Sequence, residues 1–101
     1  MPDVLLSLVV PARIAQDVED LFLAHPELVG GFTTSAVDGH GSAVRLVAPA
    51  ELVSGHAPRV QLQLVGSLAD LQAVLARLRE SYPGANLFYW IVPVLEAGRI
   101  A

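Results

Sequence analysis

Arg59-Val60-Gln61-Leu62-Gln63-Leu64-Val65 alternates cleanly, with Val60, Leu62 and Leu64 on one side and Arg59, Gln61 and Gln63 on the other. A period of two is the mark of a β-strand with one face packed and one face wet. Directly after it the period changes. Ser67 followed by Asp70 makes an N-cap pair, and Leu68, Leu71, Val74, Leu75, Leu78 and Tyr82 recur at helical spacing until Pro83-Gly84 stops them. Arg77 and Arg79 fall near the end of that helix, where cations suit its dipole. Asn86 to Leu95, NLFYWIVPVL, is an aromatic and β-branched run that predicts a strand, with Pro93 at an edge or bend.

Upstream, the stretch from Ser42 to Pro58 has no clean period and holds Pro49, Gly55 and Pro58, which predicts a long loop or a ragged strand extension. Before it, FTTSAV (Phe32 to Val37) predicts a strand, and Asp38-Gly39-His40-Gly41 a glycine-punctuated corner. Ile14, Val18, Leu21, Phe22 and His25 follow helical spacing, with Arg13, Gln16, Asp17, Glu19 and Asp20 opposite. Pro11 fits the first turn of that helix and Pro26 its end. Val4 to Val10, VLLSLVV, is a short apolar run whose two faces both look buried.

The order β-α-β-β-α-β with right-handed crossovers predicts an α+β, ferredoxin-like fold, a four-stranded antiparallel sheet with two helices on one face. The 101 residues fit one domain, 1–101, with the long loop at about 42–58. The other sheet face has no helix to cover it, yet Leu5, Val9, Phe88, Trp90 and Val92 or their alternates make it apolar. Composition agrees. Apolar residues are 53% of the chain and charged ones 16%, against about 25% charged in an ordinary domain. That surplus predicts a subunit interface, and three such sheets around an axis would bury it.

Net charge is −4, and the six basic residues are scattered arginines, so no basic stripe offers itself to nucleic acid. Lysine is absent, which removes Schiff-base and Walker-type chemistry. Cysteine is absent too, so thiolate catalysis, thiolate metal sites and disulfides are excluded. Met1-Pro2-Asp3 lacks the positive charge of a signal peptide, and no apolar run approaches the length of a membrane span. A cytoplasmic protein without membrane insertion is expected.

The run Gly31-Phe32-Thr33-Thr34-Ser35-Ala36-Val37-Asp38-Gly39-His40-Gly41 resembles the strand and Gly-x-Gly corner that open the T-loop in the PII-like signalling superfamily. Phe88 to Ile100, FYWIVPVLEAGRI, resembles its last strand with a Pro-Val step and a terminal Arg-Ile. Together the two motifs are similar to a PII-like subfamily often encoded beside heavy-metal efflux pumps. The resemblance spans nearly the whole chain and implies a ferredoxin-like homotrimer that signals through its loop.

It also implies where a ligand would sit. Gly39, Gly41 and Arg99 are what remains of a nucleotide-type cleft, but the connection Ser81-Tyr82-Pro83-Gly84-Ala85 has no lysine and one glycine, which argues against polyphosphate binding in the usual way. The bland alternative makes the glycines a tight corner and Arg99 a solvated tail residue. For a divalent metal, His40, His56 and Glu96, with Asp38, are the ligands that could gather near the loop base. Their spacing has no metal-site regularity, and solvated loop histidines are the competing reading. Ser35 or Ser42 near His40 lacks the elbow and orienting acid of a triad, so no catalytic residue is assigned. Tyr89 and Trp90 could stack on a base, but packing is the simpler role.

Two functions follow. The first is a non-enzymatic regulatory adaptor, trimeric, whose loop with Val44, Leu46, Val47, Leu52 and Val53 docks on a partner protein such as a transporter or efflux component. The alternative is a divalent-metal-binding or metal-tolerance trimer related to copper-tolerance proteins.

Overall fold

The computed structural model describes residues 3–40 and 57–101. In chain order the elements are β1 (Val4–Pro11), a 3-10 turn (Ala12–Ile14), α1 (Ala15–Leu23), β2 (Thr33–Gly39), β3 (Ala57–Gly66), α2 (Leu68–Ser81) and β4 (Phe88–Pro93). The strands form one sheet in the order β2-β3-β1-β4, and every neighbouring pair is antiparallel. This is the expected ferredoxin-like α+β fold.

Alternation along the strands sets the core. Leu6, Leu8 and Val10 of β1 and Leu62 and Leu64 of β3 point the same way and are buried. Against them pack Val18 and Phe22 of α1 and Leu71, Val74, Leu75 and Leu78 of α2, so both helices cover one side of the sheet. Each such side chain contributes roughly 1.5–3 kcal/mol through removal from water. Phe32, just before β2, meets Phe22 edge-on at 5.4 Å between ring centroids and ties the α1–β2 connection to that core.

The helix signals held at α2. The Ser67 hydroxyl accepts a hydrogen bond from the Asp70 amide at 3.1 Å, and the Tyr82 amide closes the far end on the Leu78 carbonyl at 2.9 Å. Leu68, in the first turn of the stripe, is exposed. The first helix differs from expectation. Pro11 is the last residue of β1, opposite Arg59, and the α-helix starts only at Ala15 after the 3-10 turn, without a side-chain cap. It ends at Leu23, short of Pro26, because a residue before proline is pushed out of the helical region.

Three boundaries also moved. β2 runs on through Asp38 and Gly39, which pair with Pro58 and Ala57, so those two residues are strand and not corner. β3 correspondingly begins at Ala57, inside the stretch assigned to the loop, whose remainder to residue 56 lies outside the described residues. β4 begins at Phe88, after a connection in which Asn86 has φ of 60° and Gly84 φ of 74°, left-handed backbone outside the extended region of a regular strand. Pro93 ends β4, an edge strand, where its missing N–H costs no ladder bond, and the next amide, Val94, reaches the Asp3 carbonyl at 3.1 Å.

Candidate functional site

The sheet face away from the helices is laid out in three rows by the strand register. One row holds Val65, Leu5 and Val92, the next Thr33, Gln63, Ser7 and Trp90, and the third Ser35, Gln61, Val9 and Phe88. The β2 side of this face is polar and the β1–β4 side is apolar. Phe88 is 67% exposed and Trp90 39%, their rings 6.0 Å apart, and Val65 and Val92 are exposed beside them. Ser7 is fully buried between its neighbours, its hydroxyl accepting from the Gln63 amide group at 3.3 Å. The expectation that both faces of β1 are buried thus holds for Ser7, while Leu5 and Val9 are half-buried.

The loop-base residues lie elsewhere. Gly39 is the last residue of β2, opposite Ala57, and His40 follows it with an exposed side chain. Gly41 and His56 are outside the described residues. Glu96 and Arg99 belong to the exposed tail after β4, in which Leu95 and Ile100 are uncovered as well. Pro93 is level with Val4 and Gly66, nine residues along β3 from Ala57, a span of roughly 30 Å at 3.3 Å per residue. It is also on the opposite edge strand. Three extended residues from Pro93 to Glu96 recover at most about 10 Å of that distance. Within one chain His40 and Glu96 are therefore at opposite corners of the sheet, and any site joining them draws on two subunits. Among the described residues no group of three or more His, Asp or Glu is placed to hold a metal ion.

A third feature is a cleft of about 250 Å³ between the end of α2 and the start of β4. Tyr89 and Ile91 lie level with Leu8 and Leu6, which puts them on the helix side of β4. Leu8, Leu75, Leu78 and Leu87 line the cleft, and the α2–β4 connection closes one side. Arg79, on the last turn of α2, donates to the Tyr89 hydroxyl at 3.3 Å, with its guanidinium carbon 5.9 Å from the ring centroid. Contact is thus at the hydroxyl end of the ring. Across the cleft, burial pushes the Tyr82 phenol up from its ordinary range, and the Asp17 and Asp20 carboxylates of α1 add to the shift. Away from the cleft, a 2.9 Å contact with the His25 ring holds the exposed Glu27 carboxyl below its usual range.

Sequence reasoning assigned Arg79 to the helix dipole and Tyr89 to packing, and so missed their pairing. Residue parity along β4 could have placed Tyr89 opposite Trp90, but only the β1–β4 register says which of the two faces the helices.

Comparisons with known proteins agree with this geometry. The family model described as protein of unknown function (DUF3240) matches residues 1–101. A DUF3240 family protein from Shewanella baltica OS155, solved at 2.40 Å, superposes with a TM-score of 0.79 at 21% identity over 100% of this chain and 99% of that one. CPII, a nitrogen regulatory PII-like protein from Thiomonas intermedia K12 solved with ADP, AMP and bicarbonate, gives 0.72 at 14% identity, covering 100% and 98%. CutA from Synechococcus elongatus PCC7942 gives 0.65 at 15% identity, covering 92% and 77%. A search of curated proteins found no match. The fold is that of the PII-like proteins, and the chain, matched from its first residue to its last, belongs to the DUF3240 family.

Proposed function

We propose that this chain is a small non-enzymatic PII-like regulatory protein that works as a homotrimer and acts on a partner protein, a transporter or efflux component, through the segment between β2 and β3. The observation that carries the reading is the open sheet face. Phe88, Trp90, Val92, Leu5 and Val65 form a contiguous apolar surface on a protein with few charges, and a second copy of the same face is the cover that hides it. The shared fold with CPII supports a regulatory role, and the apolar residues Val44, Leu46, Val47, Leu52 and Val53 between β2 and β3 supply a docking sequence.

Light scattering on the purified protein tests the trimer. Three chains of 10.7 kDa give about 32 kDa, and Trp90→Glu should lower the mass to that of one chain. A wild-type protein that runs as a monomer at micromolar concentration overturns the reading. Deleting residues 42–56 should abolish capture of the efflux component while the mass stays trimeric, and undiminished capture refutes the docking role.

The likeness in fold to CutA favours a second reading, a divalent-metal-binding trimer in which His40 and His56 of one subunit meet Glu96 of another. Titration calorimetry with zinc or copper decides it. Affinity that survives replacement of both histidines by alanine removes this reading.

A further inference from the structure

We propose that the cleft beneath the α2–β4 connection binds a small monocarboxylate with a compact apolar body, its carboxylate held by Arg79 and the Tyr89 hydroxyl. Size sets the first limit. A space of 250 Å³ equals the liquid volume of about eight waters and falls just under the range of drug-sized pockets, so the ligand has on the order of ten non-hydrogen atoms. Leu8, Leu75, Leu78 and Leu87 line it with aliphatic surface that an apolar body would dry. Arg79 supplies the charge. Its contact is the Tyr89 hydroxyl alone, and among the described residues no carboxylate lies within ion-pair distance of it. A guanidinium with five donors and one of them used is matched to a carboxylate, which takes two in parallel.

The surroundings orient the ligand. Tyr82 lines the same cleft and its phenol feels the Asp17 and Asp20 carboxylates of α1, which disfavours an anion beside it and leaves the Arg79 guanidinium as the place for the carboxylate. The carbonyls ending α2 carry about half a negative charge, less than the full charge on Arg79 in the last turn. Glu80 follows Arg79 and projects about 100° further round the helix. The left-handed backbone at Gly84 and Asn86 shapes the remaining wall, and a Cβ at Gly84 would meet strain though not a clash.

This inference deepens the regulatory reading by naming the class of small molecule that the trimer would answer to. It is tested with phenylacetate and its neutral isostere phenylacetamide on the full-length protein, by titration calorimetry and amide NMR shifts. Phenylacetate should bind saturably and shift signals of Arg79, Ala85 and Leu87, while the amide binds at least about tenfold more weakly. Arg79→Gln, at an exposed position, should cost about tenfold in affinity, and Tyr89→Phe, which keeps the ring and loses the hydroxyl, about threefold. Absence of saturable phenylacetate binding, equal affinity for the amide, or shifts centred on the Trp90 face would overturn it. Such a failure with a trimeric mass removes the ligand class alone, whereas a monomeric mass removes the regulatory trimer whatever phenylacetate does.

Discussion

Ser67 and Tyr82 show how much a single side chain can decide here. The Ser67 hydroxyl satisfies the Asp70 amide, one of the orphan donors at the start of α2, so Ser67→Ala should lower stability by about 1 kcal/mol in urea titration. An unchanged midpoint would mean that water replaces the cap at no cost. For Tyr82 the sign follows from its raised pKa. The folded protein holds the phenolic proton more tightly than the unfolded chain, so its contribution is whole below the unfolded value near 10 and is lost as pH climbs through the folded one. The chain has no lysine and no cysteine to titrate in that window, which keeps it clean. Tyr82→Phe should lose less stability than wild type above pH 10, and parallel pH profiles would refute the burial account.

At the scale of the element, β1 has two faces with different work. Leu6 is fully buried under the helices, and Leu6→Ala should cost roughly 2–5 kcal/mol at any protein concentration. Leu5, one residue away, is half-buried on the open face. Leu5→Ala should leave the fold of the single chain nearly as stable and instead, in the proposed trimer, raise the concentration below which the copies dissociate, as read by light scattering on dilution. Equal, concentration-independent losses at both positions would show that the open face is not an interface.

For the whole molecule the governing fact is a sheet with helices on one side only. Among the described residues no helix is long and apolar enough to cross a membrane, and Trp90 and Phe88 stand exposed on the bare side of the sheet. In the proposed trimer, association of copies covers them, and it has a second consequence. Because His40 and Glu96 leave opposite corners of one sheet, assembly is what could bring loop base and tail together. A metal or ligand site that uses both should therefore vanish in a Trp90→Glu monomer, as read by calorimetry, while the single-chain cleft at Arg79 keeps its phenylacetate binding.

The periodicities of Arg59–Val65 and Leu68–Tyr82, the Ser67 cap and the order of elements were legible in the chain because each is a local property with its own repeat. The fold class followed from them, since few topologies accept β-α-β-β-α-β with right-handed crossovers. Element ends were less legible. The extra strand residues Asp38, Gly39 and Ala57 exist because β2 and β3 pair with each other, and a partner across a sheet leaves no mark in either segment alone. The same holds for the sites. Types of side chain can be counted in a sequence, but that Arg79 meets Tyr89, that Glu96 lies far from His40, and that Tyr89 rather than Trp90 faces the helices are facts of register. By itself the sequence determined which residues want burial and in what rhythm; tertiary structure decided which of them meet, because contact between distant segments depends on strand pairing that no local pattern encodes.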